Sequence, residues 1–183
     1  MILLEESGRL LKGYEWQIVA TDINDHSLGT AREGIYDAYS VRNVSTPFRR
    51  KYFKKRGDEF AVAERVRDCI KFGRLNLLDD AKIVLVRNND IILCANVLIY
   101  FDAASKRRTV QHFFNNLCPD GHLFLGHSES LYGVSNDFRL VHFPGATAYA
   151  KPEPREMRQC TVVKLNPLTT HLEHRCVIHS KFN

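Results

Sequence analysis

The chain has 183 residues, 44% of them hydrophobic and 26% charged, with a formal net charge of +5. That length buries the core of one domain with a small appendage, and no apolar run approaches the ~20 residues that span a bilayer, so a membrane-inserted class is excluded. Five cysteines without CxxC spacing argue against a disulfide framework and suit a reducing cytoplasm. In chain order, Leu3, Leu4, Leu10 and Leu11 among Glu and Arg predict an amphipathic helix from Ile2 to Leu11, ended by Gly13. With no basic start and no small-residue cleavage site, this segment does not read as a signal peptide. Trp16 to Thr21 reads as a strand that stops at Asp22. Asn24 or Asp25 then caps a helix through Leu28 and Ala31 to Gly34.

Pro47 to Lys55, PFRRKYFKK, predicts a strongly basic helix, and the β-prone pieces Phe60-Ala61-Val62 and Cys69 to Phe72 read as an excursion from the main sheet. Asp90 to Cys94 is a short, fully apolar strand, and Asp102 caps a helix from Ala103 to Leu117. Cys118-Pro119-Asp120-Gly121 reads as a turn. Leu123 to Leu125, Phe138 to Phe143 and Ala146 to Ala150 are the closing strands, the last two joined by Pro144-Gly145. The alternation implies an α/β parallel sheet with an antiparallel edge. After Lys151 the sequence has no clear periodicity, although Val162-Val163 and Val177-Ile178 are candidates for local pairing.

In open parallel sheets ligands bind at the carboxyl ends of strands. Three such positions carry suitable groups: Asp22, Asn76-Leu77 and Ala95-Asn96. A carboxylate accepts both hydroxyls of a ribose, and an amide both donates and accepts at an adenine edge. Each also has a plainer reading, Asp22 as a turn or helix-capping residue and the asparagines as strand terminators. Together they point to a nucleoside-containing ligand.

The segments IVATDIN, GIY, KYF, VRDCIKFGRLNLL, ILCANVLIYFD and LCPDGHLFLGHSESL, in this order, resemble the chemotaxis receptor methyltransferases, the CheR-type S-adenosylmethionine-dependent protein-glutamate methyltransferases, from Trp16 to Lys151. The resemblance implies a class I methyltransferase fold, Rossmann-like, with a small β-subdomain inserted at about residues 49–72. It implies a partial methyltransferase domain over 1–151 and an irregular tail over 152–183. The expected reaction converts glutamates of methyl-accepting chemotaxis-type receptors to methyl esters, with S-adenosylhomocysteine as the product of the cofactor. By matched segment, Asp22 would hold the ribose, Asn76, Leu77, Ala95 and Asn96 would line the nucleoside pocket, and Tyr100 would orient the incoming carboxylate.

Arg49, Arg50, Lys54, Lys55 and Arg56 would meet an acidic receptor helix, their plainer reading being a solvated helix face. Nucleic acid is not expected, since Tyr52 and Phe53 at helical spacing serve better as anchors than as base-stacking platforms. His127, Ser128 and Glu129 do not read as a nucleophile set, because consecutive side chains at a strand end diverge; turn formation and packing are their expected roles. Cys160, His171, His174, Cys176 and His179 match no zinc-finger spacing.

Three departures from the family follow. Its glycine-containing nucleotide loop and first strand should lie upstream of Ile2, so the chain is expected to lack that central strand, to leave two apolar edges unpaired, to bind S-adenosylmethionine weakly or not at all and to aggregate. Ala95 stands where many relatives have arginine. The β-subdomain lacks a long glycine-rich loop, so docking of a receptor's C-terminal peptide there is not expected. Two other readings stay open: an inactive remnant that only binds a receptor or partner, and a class I methyltransferase with another substrate.

Overall fold

The computed structural model describes residues 6–7, 15–153 and 173–180. The helix expected over Ile2 to Leu11 lies outside them apart from Glu6 and Ser7, as does Val162-Val163. Strand β1 (Glu15–Asp22) extends the expected strand by one residue at each end; its β-branched Ile18, Val19 and Thr21 suit an extended backbone. Past it, Asn24 Oδ1 accepts hydrogen bonds from the backbone N–H groups of His26 (2.9 Å) and Ser27 (3.4 Å). Asn24 is therefore the cap of α1 (Asp25–Glu33), which ends at Gly34 with φ 66°, a left-handed conformation that glycine adopts without a Cβ clash.

The next segment departs from expectation. The basic helix stops early, as α2 (Thr46–Tyr52), and Lys54 to Arg56 lie on β3 (Phe53–Arg56). Gly57, at φ 59°, turns the chain into β4 (Glu59–Val62), and the hairpin register Phe53↔Val62 to Arg56↔Glu59 overrides the helical propensity of the lysines. With β2 (Ile35–Asp37) on the other side of β4, these strands form a three-stranded antiparallel sheet in the order β2-β4-β3. The small sheet thus draws on 35–62 rather than about 49–72. After the turn α3 (Glu64–Arg67), the piece expected at Cys69 to Phe72 belongs to the main sheet: β5 (Ile70–Arg74) pairs in parallel with β1 from Ile18↔Ile70 to Asp22↔Arg74.

A helical turn, α4 (Asp80–Ile83), precedes β6 (Asn89–Ala95). A 3-10 turn over Leu98–Tyr100 leads to α5 (Ala103–Asn116), where Asp102 Oδ1 accepts from Ser105 N at 2.8 Å. Strand β7 (Leu117–Leu125) begins earlier than expected and runs through the Cys118 to Gly121 stretch read as a turn. That stretch survives as an irregularity: Asp120 has φ 63° and the β6–β7 register shifts between Asn89 and Ile91. A Cβ at Gly121 would meet Cys118 O at 2.9 Å and Asn89 O at 3.0 Å, so only glycine lets the two strands close here. Strands β8 (Arg139–Phe143) and β9 (Ala146–Ala150) form the antiparallel edge.

The core gathers Ile92, Leu98, Val110, Phe113, Leu117 and Leu123 between the sheet and α5. Two buried amides tie the same layer together: Asn89 Nδ2 donates to Val86 O (2.8 Å) and Asn116 O (3.1 Å), and Asn116 Nδ2 donates to Ile83 O (2.9 Å). Buried amides without such acceptors would carry a desolvation penalty of about 1–3 kcal/mol each.

The main sheet is seven-stranded, in the order β5-β1-β10-β6-β7-β9-β8, where β10 is Glu173–Ser180. This corrects two expectations. The tail is not irregular throughout, and the edges of β1 and β6 expected to be bare are both paired. β10 runs parallel to each of them, with Val177 opposite Val19 on one side and Ile92 on the other. Val177-Ile178 therefore pairs across the sheet and not locally. Its β-branched residues suit a strand, but a partner so distant in sequence leaves no local pattern to read.

Candidate functional site

The carboxyl ends of β5, β1 and β6 bring the expected residues to one edge of the sheet, in two groups that flank the end of β10. In the first group Leu75 N donates to Asp22 O at 3.0 Å, which joins the end of β5 to the end of β1. Asp22 uses one carboxylate oxygen, Oδ1, to accept from Asn24 N at 2.8 Å. The other, Oδ2, is buried and has no hydrogen-bond partner among the described residues. Asn76 Oδ1 accepts from Leu78 N at 3.0 Å, which fixes an exposed amide at the strand end. Leu77 is buried in the core cluster.

The second group follows β6. Asn96 has φ 58° and is exposed; asparagine tolerates this left-handed conformation better than most residues. The 3-10 turn that follows leaves Tyr100 55% exposed. Across β10, Ser180 lies opposite Ala95, and His179 lies between Thr21 and Cys94. With strands about 4.8 Å apart, the Asp22 and Asn96 groups are separated by one intervening strand.

Glu129, expected to serve turn formation and packing, joins two loops at this end of the sheet. Glu129 Oε2 accepts from Asn96 N (2.8 Å) and Gly126 N (2.9 Å), and Oε1 accepts from Val97 N (3.0 Å) and Leu98 N (2.8 Å). The carboxylate thus ties the loop after β7 to the loop after β6. A signal was present: an acid three residues after the glycine that follows β7, the parallel neighbour of β6, after which Asn96 stands. A cleft of about 510 Å³ opens beside it, lined by Phe124, His127, His142 and Phe143 among others. Next to it, burial and then the Glu129 charge push the Cys94 thiol well above the usual cysteine range, so Cys94 is a neutral packing residue and no nucleophile.

The basic residues divide between two elements. Arg50, Lys54, Lys55 and Arg56 are exposed, while the Arg49 guanidinium lies 5.6 Å from the centre of the Phe60 ring. Since β3 is an edge strand of the small sheet, its charges also discourage pairing with other chains.

The donor and acceptor set fits an adenosine-bearing cofactor. Asp22 Oδ2, without a partner among the described residues, can accept from donors such as ribose hydroxyls, and the Asn76 and Asn96 amides stand on either side of it at the same sheet edge.

Residues 1–146 match the family described as CheR methyltransferase, SAM binding domain. Among curated proteins, Chemotaxis protein methyltransferase 2 of Vibrio cholerae serotype O1 is 37% identical over 153 residues, 83% of this chain and 53% of that protein. Chemotaxis protein methyltransferase 1 of Pseudomonas aeruginosa is 37% identical over 147 residues, 79% of this chain and 52% of that one. The chain spans about half the length of these relatives. Among solved structures, the N-methyltransferase NodS of Bradyrhizobium japonicum is 13% identical, with a TM-score of 0.45, over 83% of this chain and 97% of that one.

Proposed function

The chain belongs to the CheR methyltransferase family, and we propose that it serves the transfer of a methyl group from S-adenosylmethionine to glutamate side chains of chemotaxis-type receptors, in the cytoplasm, forming the methyl esters used in signal adaptation. The observation that carries this reading is the buried Asp22 Oδ2, without a hydrogen-bond partner among the described residues, at a strand end near Asn76. The chain's relatives include proteins described as chemotaxis methyltransferases.

The chemistry asks little of the protein. A glutamate with an ordinary pKa of about 4.3 is already an anion at neutral pH and needs no base. The cofactor, when bound, supplies an electrophilic methyl group on a sulfonium. Asp22 would accept the ribose hydroxyls, and Asn76, Leu77, Ala95 and Asn96 would hold the nucleoside. The Tyr100 hydroxyl would aim the acceptor carboxylate, so that alignment and partial exclusion of water lower the barrier. Arg49, Arg50, Lys54, Lys55 and Arg56 would attract an acidic receptor surface and raise the encounter rate.

The test is incubation of the chain with methyl-labelled S-adenosylmethionine and receptor-bearing membranes. Base-labile label on receptor would support this reading. Label on another acceptor would assign a different substrate, and receptor binding without label would make the chain a binding module.

A further inference from the structure

We propose that Glu129 is the positioning residue of the transfer site: its carboxylate fixes the backbone of Asn96 to Leu98, and through it the Asn96 amide and the Tyr100 hydroxyl. This deepens the transferase reading and rests on it.

Two carboxylate oxygens offer about four acceptor positions, and four backbone N–H groups take them, from Gly126, Asn96, Val97 and Leu98. Glu129 is thereby saturated as an acceptor, which makes it a strong clamp. Three of its donors are consecutive amides, and they span the left-handed Asn96 and the start of the 3-10 turn over Leu98–Tyr100. That turn closes with Tyr100 N donating to Val97 O at 3.2 Å and Phe101 N to Leu98 O at 3.1 Å. The carboxylate caps the turn, and the turn sets where Tyr100 points.

The clamp has its own support. A Cβ at Gly126 would lie 2.8 Å from Glu129 Oε2 and 3.1 Å from Asn96 N, so a side chain there would press on the carboxylate and on the Asn96 amide it holds. On the far side, Leu131 N donates to the Tyr149 hydroxyl at 3.2 Å, and Leu131 is buried, which anchors the loop carrying Glu129. Charge-assisted bonds to backbone N–H groups are the strong class, and a displaced reacting group costs rate steeply.

The test compares the 183-residue chain with Glu129→Gln and Glu129→Asp. Glutamine presents an NH2 where two backbone donors point, and aspartate is one methylene too short to reach both loops. Amide exchange at Asn96, Val97 and Leu98 should quicken in both variants, and turnover on receptor membranes should fall about 10- to 100-fold, with little change in the KM for receptor. Unchanged exchange, or quickened exchange with unchanged turnover, overturns the proposal. If both variants fail to fold, wild type decides: the three amides must exchange more slowly than that of Ile99, and equal rates overturn it. If wild type binds no S-adenosylhomocysteine and labels no receptor, the transferase reading falls, while the exchange rates still support or overturn the hold of Glu129 on the segment.

Discussion

Asp22 gives one carboxylate oxygen to Asn24 N, while the other is buried with no hydrogen-bond partner among the described residues, and that division is the most direct pointer to a ligand. Replacing it with asparagine keeps an acceptor for Asn24 N but removes the charge, so S-adenosylhomocysteine affinity should drop about tenfold, as expected where a charge-assisted bond becomes a neutral one. Calorimetric titration measures this, and unchanged affinity would reduce Asp22 to a turn residue. Tyr100→Phe removes only a hydroxyl, and should lower turnover more than cofactor affinity; equal losses would make it a binding group. At this scale the sequence is readable where a polar residue directly follows an apolar run, as Asp22 and Asn96 do. Glu129 is not readable in that way, because its partners are backbone groups on another strand's loop, and a backbone N–H leaves no trace in the identity of its residue.

Whole elements were legible where their signals are local. Asn24 and Gly34 bracket α1, and Asp102 opens α5. The hydrogen bonds from Ser105 hold the Asp102 carboxyl below the usual aspartate range. A group whose folded pKa is depressed stabilises the fold above its unfolded value and loses that contribution as pH falls through the folded one. The melting temperature of wild type should therefore exceed that of Asp102→Ala at pH 6, and the gap should narrow as the pH falls below about 4; a gap constant down to pH 2.5 would refute the ionic share of the cap. Elsewhere local signals misled. The lysines of β3 have helical propensity, but cross-strand pairing with β4 decides their backbone. Ile70 to Arg74 sits near the small sheet in sequence, yet it matches β1 in register and joins the larger one.

At the scale of the molecule, the least readable feature is the place of β10. The sequence between Trp16 and Ala150 shows an α/β sheet with an antiparallel edge, but nothing in Glu173 to Ser180 names β1 and β6 as its neighbours. A strand paired on both sides tolerates no proline, which lacks the N–H and removes a ladder bond. Val177→Pro leaves a ladder acceptor unpaired, at a cost of about 1–3 kcal/mol, read as a lower melting temperature and as aggregates in sedimentation velocity. A variant that melts and sediments like wild type would show that β10 contributes nothing to the sheet.

That central position also governs the order of assembly. Ile18 and Cys176 face each other in the finished sheet, so the ladder at its middle closes only after a very long loop has been drawn in, a slow event for any chain. Until then β1 and β6 each present an open ladder on facing sides, and another molecule can fill it as readily as β10 can. Refolding yield should therefore fall as protein concentration rises, and the partitioning would be fixed by a race between one intramolecular closure and a bimolecular one.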